Sequence, residues 1–199
     1  MKIIENLNLR HFSFLGTLIL TIYALANREV SVFYMLYLFW WQALVEILTL
    51  FAISWKKTGK FILSFKLISD SLFLMGIYFV FIIVLFGFVF SYNNDDIMII
   101  NFQVLGFRNT TFNINIFLML FFAMLNFNSE KLNTTLFHNT GVFSTRMIIL
   151  HVSIILGAVL HFGSKHYLDE SFQNTICFYM LSALPFLIIK SIFEWKKQL

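Results

Sequence analysis

One proline and one cysteine are all that 199 residues contain of either. So little proline excludes a proline-rich linker, and the chain shows no low-complexity tract or internal repeat. A lone cysteine, Cys177, excludes an internal disulfide and any Cys-x-x-Cys redox pair. Its simplest reading is a small apolar residue in a helix. Charge is scarce too: only 12% of residues are charged, against about 25% in a typical soluble domain. No HExxH, Walker A, EF-hand or G-x-S-x-G motif is present. The alternating ten-residue pattern of a membrane barrel is also missing.

What fills the chain instead is apolar. Hydrophobic residues make up 59%, with 27 Phe, and the mean hydropathy is +0.82. Apolar runs of membrane-spanning length recur, which is the signal for spanning helices. The sequence predicts an all-α fold: a polytopic membrane helix bundle forming one transmembrane domain over residues 1–199. Six transmembrane helices are expected, at Leu9–Ala26, Val30–Trp55, Ser71–Tyr92, Asn113–Phe127, Met147–Gly163 and Thr175–Phe193. The fourth is short for a bilayer, roughly 22 Å at the helical rise, unless it extends into Thr110–Asn113.

The net charge of +4 does not indicate nucleic acid, because the basic residues are spread over the loops between apolar runs. Their asymmetry reads as topology. Lys2, Arg10, Lys56, Lys57, Lys60, Lys66, Lys131, Arg146, Lys190, Lys196 and Lys197 fall on one side, and Arg28, Arg108 and Lys165 on the other. The positive-inside rule then places both termini in the cytoplasm, N-in and C-in. The abundance of Phe, Ile, Asn and Lys points to an AT-rich genome, so a bacterial inner membrane is the expected location. Lys2 and Arg10, the run Phe12–Tyr23 and then Ala24-Leu25-Ala26 also fit a signal peptide with an A-x-A site. Cleavage there would leave five spans in the same orientation. A retained signal anchor is the simpler reading, because more apolar spans follow at once.

Between the second and third spans lies "KKTGKFILSFKLISD", Lys56–Asp70. Two readings stay open: an interfacial amphipathic helix with lysines facing anionic lipid, or a helical extension of the third span. Residues 93–112 form the longest expected outer loop. Asn109 and Asn133 each open an "NTT" sequon, though Asn133 falls on the cytoplasmic side.

The chemistry-bearing positions lie inside the spans. In "FWWQALVEILTLF" (Phe39–Phe51), Gln42, Glu46 and Thr49 fall within about 60° of one another on a helix. A carboxylate at mid-bilayer costs on the order of 3 kcal/mol. The stripe therefore has to face other helices or water. Its candidate partners by depth are Arg146, His151 and Lys190, with Ser153 nearby in the fifth span. The expectation is an intramembrane polar cluster of Gln42, Glu46, Arg146, His151, Ser153 and Lys190. The alternative is that Glu46 is a protonated, hydrogen-bonded contact between helices. On the fifth span Arg146, Ser153 and Gly157 share one face and His151 points the opposite way. Ser153 with Gly157 is a small-xxx-small pair favouring close helix approach. Trp40 and Trp41 read as packing residues or a ligand wall, and Pro185 as a kink in the sixth span.

No metal or cofactor is expected. A haem needs two histidines at matching depth on facing helices. His11 and His151 are the pair that fits by depth. His161, His166, Asp169 and Glu170 read as a solvated outer segment rather than a metal site.

Two stretches together carry a resemblance. "FWWQALVEILTLF" resembles an aromatic-Trp-x-Glu/Gln element in the second helix of an uncharacterised family of small prokaryotic polytopic membrane proteins, a domain of unknown function. "STRMIILHVSIILGAVL" resembles that family's Arg…His-x-Thr/Ser-Ile-Ile-x-Gly element in a late helix. The matching positions are Trp41, Gln42, Arg146, His151, Ser153 and Gly157, with Lys190 against a basic residue late in the last helix. They cover about a fifth of the chain. Members often carry His–Gly near the end of the third helix. Here "LFGFVFSY" has Gly87 but no histidine, which weakens any shared metal or haem. The resemblance implies a helical integral membrane protein and no particular activity.

Three functional classes follow. The first is a non-enzymatic binding or assembly component using a polar-lined intramembrane face. The second is a proton-coupled transporter or channel-like protein with Glu46 as the protonatable group. The third is an intramembrane enzyme or haem protein. The expected partners are the lipid bilayer and a protein subunit or second copy, with no nucleic acid.

Overall fold

The computed structural model describes residues 9–92, 94–127, 144–167, 183–189 and 191–192, with side chains for all of these except 9–14, 126, 145 and 164–167. Among the described residues every regular element is helical. In chain order they are α1 (Leu9–Ala26), α2 (Val32–Thr58), α3 (Phe61–Phe81), a π-helical stretch (Ile82–Val89), α4 (Asp95–Leu105), α5 (Thr110–Asn126) and α6 (Thr145–Tyr167). A last helical segment covers 183–189. Three helices are long and apolar enough to cross a membrane: Val32–Thr58, the continuous Phe61–Val89 and Arg146–Gly163. Among the described residues the fold is all-α, with three helices of membrane-spanning length and apolarity.

Local chemistry sets the ends of these helices. Ser31 caps α2: it is extended (φ −118°), and its Oγ accepts the Tyr34 N–H at 3.1 Å. Asn94 and Asn109 do the same for α4 and α5, accepting from Ile97 (3.0 Å) and Phe112 (2.8 Å). Asp95 and Asp96 add negative charge at the positive end of α4. Helices α1 and α4 end alike. Arg28 (φ 59°) and Phe107 (φ 55°) take the left-handed conformation. Glu29 N–H then reaches back to Ala24 O (2.9 Å), and Arg108 N–H to Gln103 O (2.7 Å). Both are Schellman ends made without glycine. At the end of α2 the left-handed residue is Gly59 (φ +65°), with its N–H on Trp55 O at 2.9 Å.

Helix α2 is the hub, packing against α3, α5, α6, the π stretch and α4, while α1 lies along α5. Contacts fix the directions. Ser54 meets Ser64, and Trp40 meets Met75, so α3 runs antiparallel to α2. Tyr34 meets Asn115, and Lys56 lies over Phe127, so α5 runs parallel to α2. Arg146 meets Glu46, and Gly157 packs on Val32, so α6 runs antiparallel to it. From Phe33 to Phe39 α2 is buried on every side; from Ala43 onward only one face is. The outer faces of α3, α5 and α6 expose Phe73, Phe117 and Phe162. That is the pattern of a bundle solvated by lipid.

Several sequence expectations need correction here. Of the two readings of residues 56–70, a helical extension of the third span is what the structure shows from Phe61 on. Lys56–Thr58 finish α2, and Phe61 opens a helix that runs unbroken to Val89. Gly59 makes the tight turn between the two helices. Residues 93–112 are not a loop, because α4 occupies Asp95–Leu105. Its Asn-Asp-Asp start is a strong helix opening that the surrounding polarity disguised. Asn109 does not present a sequon amide to solvent; it is 5% exposed and caps α5. Cys177, Asn133, Asp169 and Glu170 lie outside the described residues, as does most of the expected span Thr175–Phe193.

Candidate functional site

Glu46 lies near the middle of α2, about 18 Å above its Thr58 end at the helical rise. Arg146 is the second residue of α6. Its Nε lies 3.8 Å from Glu46 Oε2, with the arginine side chain 5% exposed and the glutamate 26%. Helix α6 therefore begins at the mid-depth of α2. This changes the charge count made from the sequence. Arg146 is not a loop charge but the ion-pair partner of the buried stripe. The energetic reason is mutual: each charge is expensive in an apolar setting, and each lowers the cost of the other.

The rest of the stripe behaves differently. Gln42 is half-buried one turn above Glu46. Thr49 folds its hydroxyl back onto Val45 O at 2.7 Å, so it serves its own helix.

On α6 the predicted face is divided. Ser153 is fully buried, and its Oγ has no hydrogen-bond partner among the described residues. Gly157 is buried where a Cβ would stand 2.8 Å from Phe86 Cε1 and 3.1 Å from Val32 Cγ1. Glycine is required there for α6 to seat against α2 and the π stretch. His151 is exposed on the opposite side of α6, with Nδ1 3.0 Å from the Tyr78 hydroxyl of α3. It does not join Glu46, and it does not reach Ser153. Lys190 lies outside the described residues, and the His11 side chain is likewise not described.

Trp40 and Trp41 form part of an aromatic group at the same level. Trp40 Nε1 donates to Met75 O at 2.9 Å, tying α2 to α3. Trp41 meets Phe107 edge-on at 5.8 Å and Tyr37 at 6.2 Å. Pro185 is half-buried in the 183–189 segment. Its neighbour Phe186 meets Phe39 edge-on at 6.2 Å.

A second polar group went unread in the sequence. Asn101 of α4 is 2% exposed. Its Oδ1 accepts the Ser31 hydroxyl at 2.6 Å, and its Nδ2 donates to Phe86 O (3.1 Å) and Gly87 O (3.4 Å). Those carbonyls belong to the π stretch, where the wider turn alters the helix's own bonding and presents acceptors to a neighbour. Ser91 also donates to Gly87 O at 2.7 Å. Beside it, Asn115 Nδ2 donates to the buried Tyr34 hydroxyl at 3.0 Å, and Thr111 donates to Glu29 Oε2 at 2.9 Å. The available signal was amide residues inside otherwise apolar runs, at "IINFQ" and "NINIF".

Among the described residues no three His, Cys, Asp or Glu side chains come together. No family model, curated protein or solved structure matches this chain.

Proposed function

We propose that this chain is a six-span inner-membrane protein with both termini in the cytoplasm. It acts as a non-enzymatic binding or assembly component through the polar face formed by α2 and α6. The observation that carries this reading is the Glu46–Arg146 contact, with the arginine buried and about a quarter of the glutamate side chain exposed. Charges at this depth are retained at a cost, and this pair spans two helices. The glutamate edge that stays open, beside Gln42, is where a polar group from a partner would meet the bundle. The alternating directions of α2, α3, α5 and α6 support the topology, as does the lysine excess on one side. The resemblance to the uncharacterised membrane family supports the same class and adds no activity.

The test is native mass spectrometry of the protein extracted gently from its own membrane. A stoichiometric protein mass that dissociates in a Glu46→Gln variant is the expected result. A bare chain in both cases would overturn the assembly reading. The partial exposure of Glu46 also favours a second reading, a proton-coupled transporter. That reading requires proton-linked flux in vesicles that Glu46→Gln abolishes.

A further inference from the structure

The tip where α2 turns into α3 carries Lys56, Lys57, Lys60 and Lys66, all exposed. No acidic residue occurs between Phe51 and Ser69. Interleaved with the lysines are large apolar side chains that are also exposed: Trp55 50%, Phe61 53%, Ile62 83%, Leu63 54% and Phe65 47%.

Local electrostatics accounts for only half of this charge. Lys56 and Lys57 sit in the last turn of α2, where a cation complements the negative end of the helix dipole. Lys60 sits at the opposite kind of end, as the N-cap of α3, where the dipole disfavours a cation, and Lys66 lies further along, one turn before Asp70. Among the described residues the four lysines outnumber the carboxylates beside them, which leaves positive charge for an anion to meet.

The surface is also pre-formed. The turn's own hydroxyls are consumed internally: Ser54 donates to Ser64 at 3.0 Å, and Ser64 to Lys60 O at 3.1 Å. Phe61 packs edge-on to Phe51 (5.4 Å) and Trp55 (5.9 Å), and stacks on Phe65 (6.3 Å). Lys56 lies 5.1 Å over the Phe127 ring, joining the end of α5 to the tip.

We propose that the α2–α3 tip is a binding site for anionic phospholipid of the cytoplasmic leaflet. The lysines meet the headgroup phosphates, and Trp55, Phe61 and Ile62 lie among the upper acyl chains. A surface with this excess of cations favours a lipid of net negative charge over a zwitterionic one carrying the same phosphate. The proposal rests on the membrane reading above, and in particular on this tip facing the cytoplasm.

The experiment uses the full chain in detergent, titrated with phosphatidylglycerol or with phosphatidylcholine of the same acyl chains, and read by native mass spectrometry. The expected result is retention of phosphatidylglycerol roughly tenfold or more above phosphatidylcholine. A Lys57→Gln/Lys60→Gln/Lys66→Gln variant loses that preference, the matching Lys→Arg variant keeps it, and Arg108→Gln, at the other end of the bundle, leaves it unchanged. Equal retention of the two lipids would overturn the proposal, and is also the outcome if an acidic protein segment is the true occupant. So would a preference that survives the triple glutamine variant. Micelles have no sides, so this result is independent of orientation. Side-specific labelling of Lys60→Cys in a Cys177→Ser background tests orientation separately.

Discussion

The two halves of α2 solve the same problem in different ways. From Phe33 to Phe39 the helix is buried all round, and none of its own residues there is charged. The Ser31 and Tyr34 hydroxyls are each met by a buried amide, Asn101 and Asn115. From Ala43 onward one face is open, and the polar group there is a carboxylate paired with Arg146. Neutral amides suit the enclosed half, because a hydrogen bond satisfies them without any net charge to desolvate. A charge is tolerable in the other half because the helix is only partly wrapped there and a cation arrives from α6. The difference teaches that this helix carries no charge of its own where it is fully enclosed, and that the charge it does carry is met by a buried cation from α6.

The sharpest way to break the comparison is to leave one charge of the pair behind. Arg146→Ala keeps Glu46 in an apolar setting without its partner. The expected loss is about 3 kcal/mol, the low end for buried pairs, because the glutamate is partly exposed. Exchanging both residues, as Glu46→Leu with Arg146→Met, should recover most of that loss. Denaturant unfolding of bicelle-reconstituted protein reads both variants. If the double variant is as unstable as the sum of the singles, the two charges are not coupled.

The charged half was the legible half. Glu46 stands out because a carboxylate in an apolar run is costly, and the cost forces a partner whose depth can be estimated from span order. Arg146 was among the three partners named on that basis. His151 was separated from the pair by its angle on α6, and that angle was also readable from 100° per residue. The neutral half was not legible, for a physical reason. Asn101 acts on the carbonyls of Phe86 and Gly87, and which carbonyls a helix presents depends on a π stretch that no hydrophobic period announces. Apolar length located the Ala26 end of α1, and it left two readings of 56–70 open, because Gly59 both ends one helix and lets the next begin at once. The start of α4 was present in its capping residues and was outweighed by the polarity around them.

A smaller effect tests whether the neutral half is as cooperative as its geometry implies. Asn101→Ala leaves the Ser31 hydroxyl without its acceptor and the Phe86 carbonyl without its amide donor in a closed environment, while Ser91 still donates to Gly87 O. A loss of about 2 kcal/mol is expected. Ser31→Ala removes the cap of α2 as well as one bond to Asn101, at about 1 kcal/mol. The two losses together should fall short of their sum, because they share a bond. Faster hydrogen exchange in the π stretch of Asn101→Ala, with α1 unchanged, would place the damage where the geometry puts it. Uniform acceleration would mean that Asn101 only fills space.

The smallest of these effects is also the most direct comparison with the ion pair. Tyr34→Phe deletes one buried hydroxyl and leaves Asn115 Nδ2 without the acceptor it reaches at 3.0 Å. The expected loss is about 1 kcal/mol, typical of a neutral hydrogen bond and well below that of a stranded charge. Asn115→Leu alone strands the tyrosine hydroxyl and should cost a similar amount. Combining the two removes both polar partners and leaves apolar surfaces of nearly the same shape. The double variant should therefore approach the stability of the parent. The neutral pair and the ion pair would then follow one rule, in which removing one partner is worse than removing both, with the size of the penalty set by charge. If Tyr34→Phe costs as much as Arg146→Ala, charge does not set that scale, and the distinction between the two halves of α2 fails.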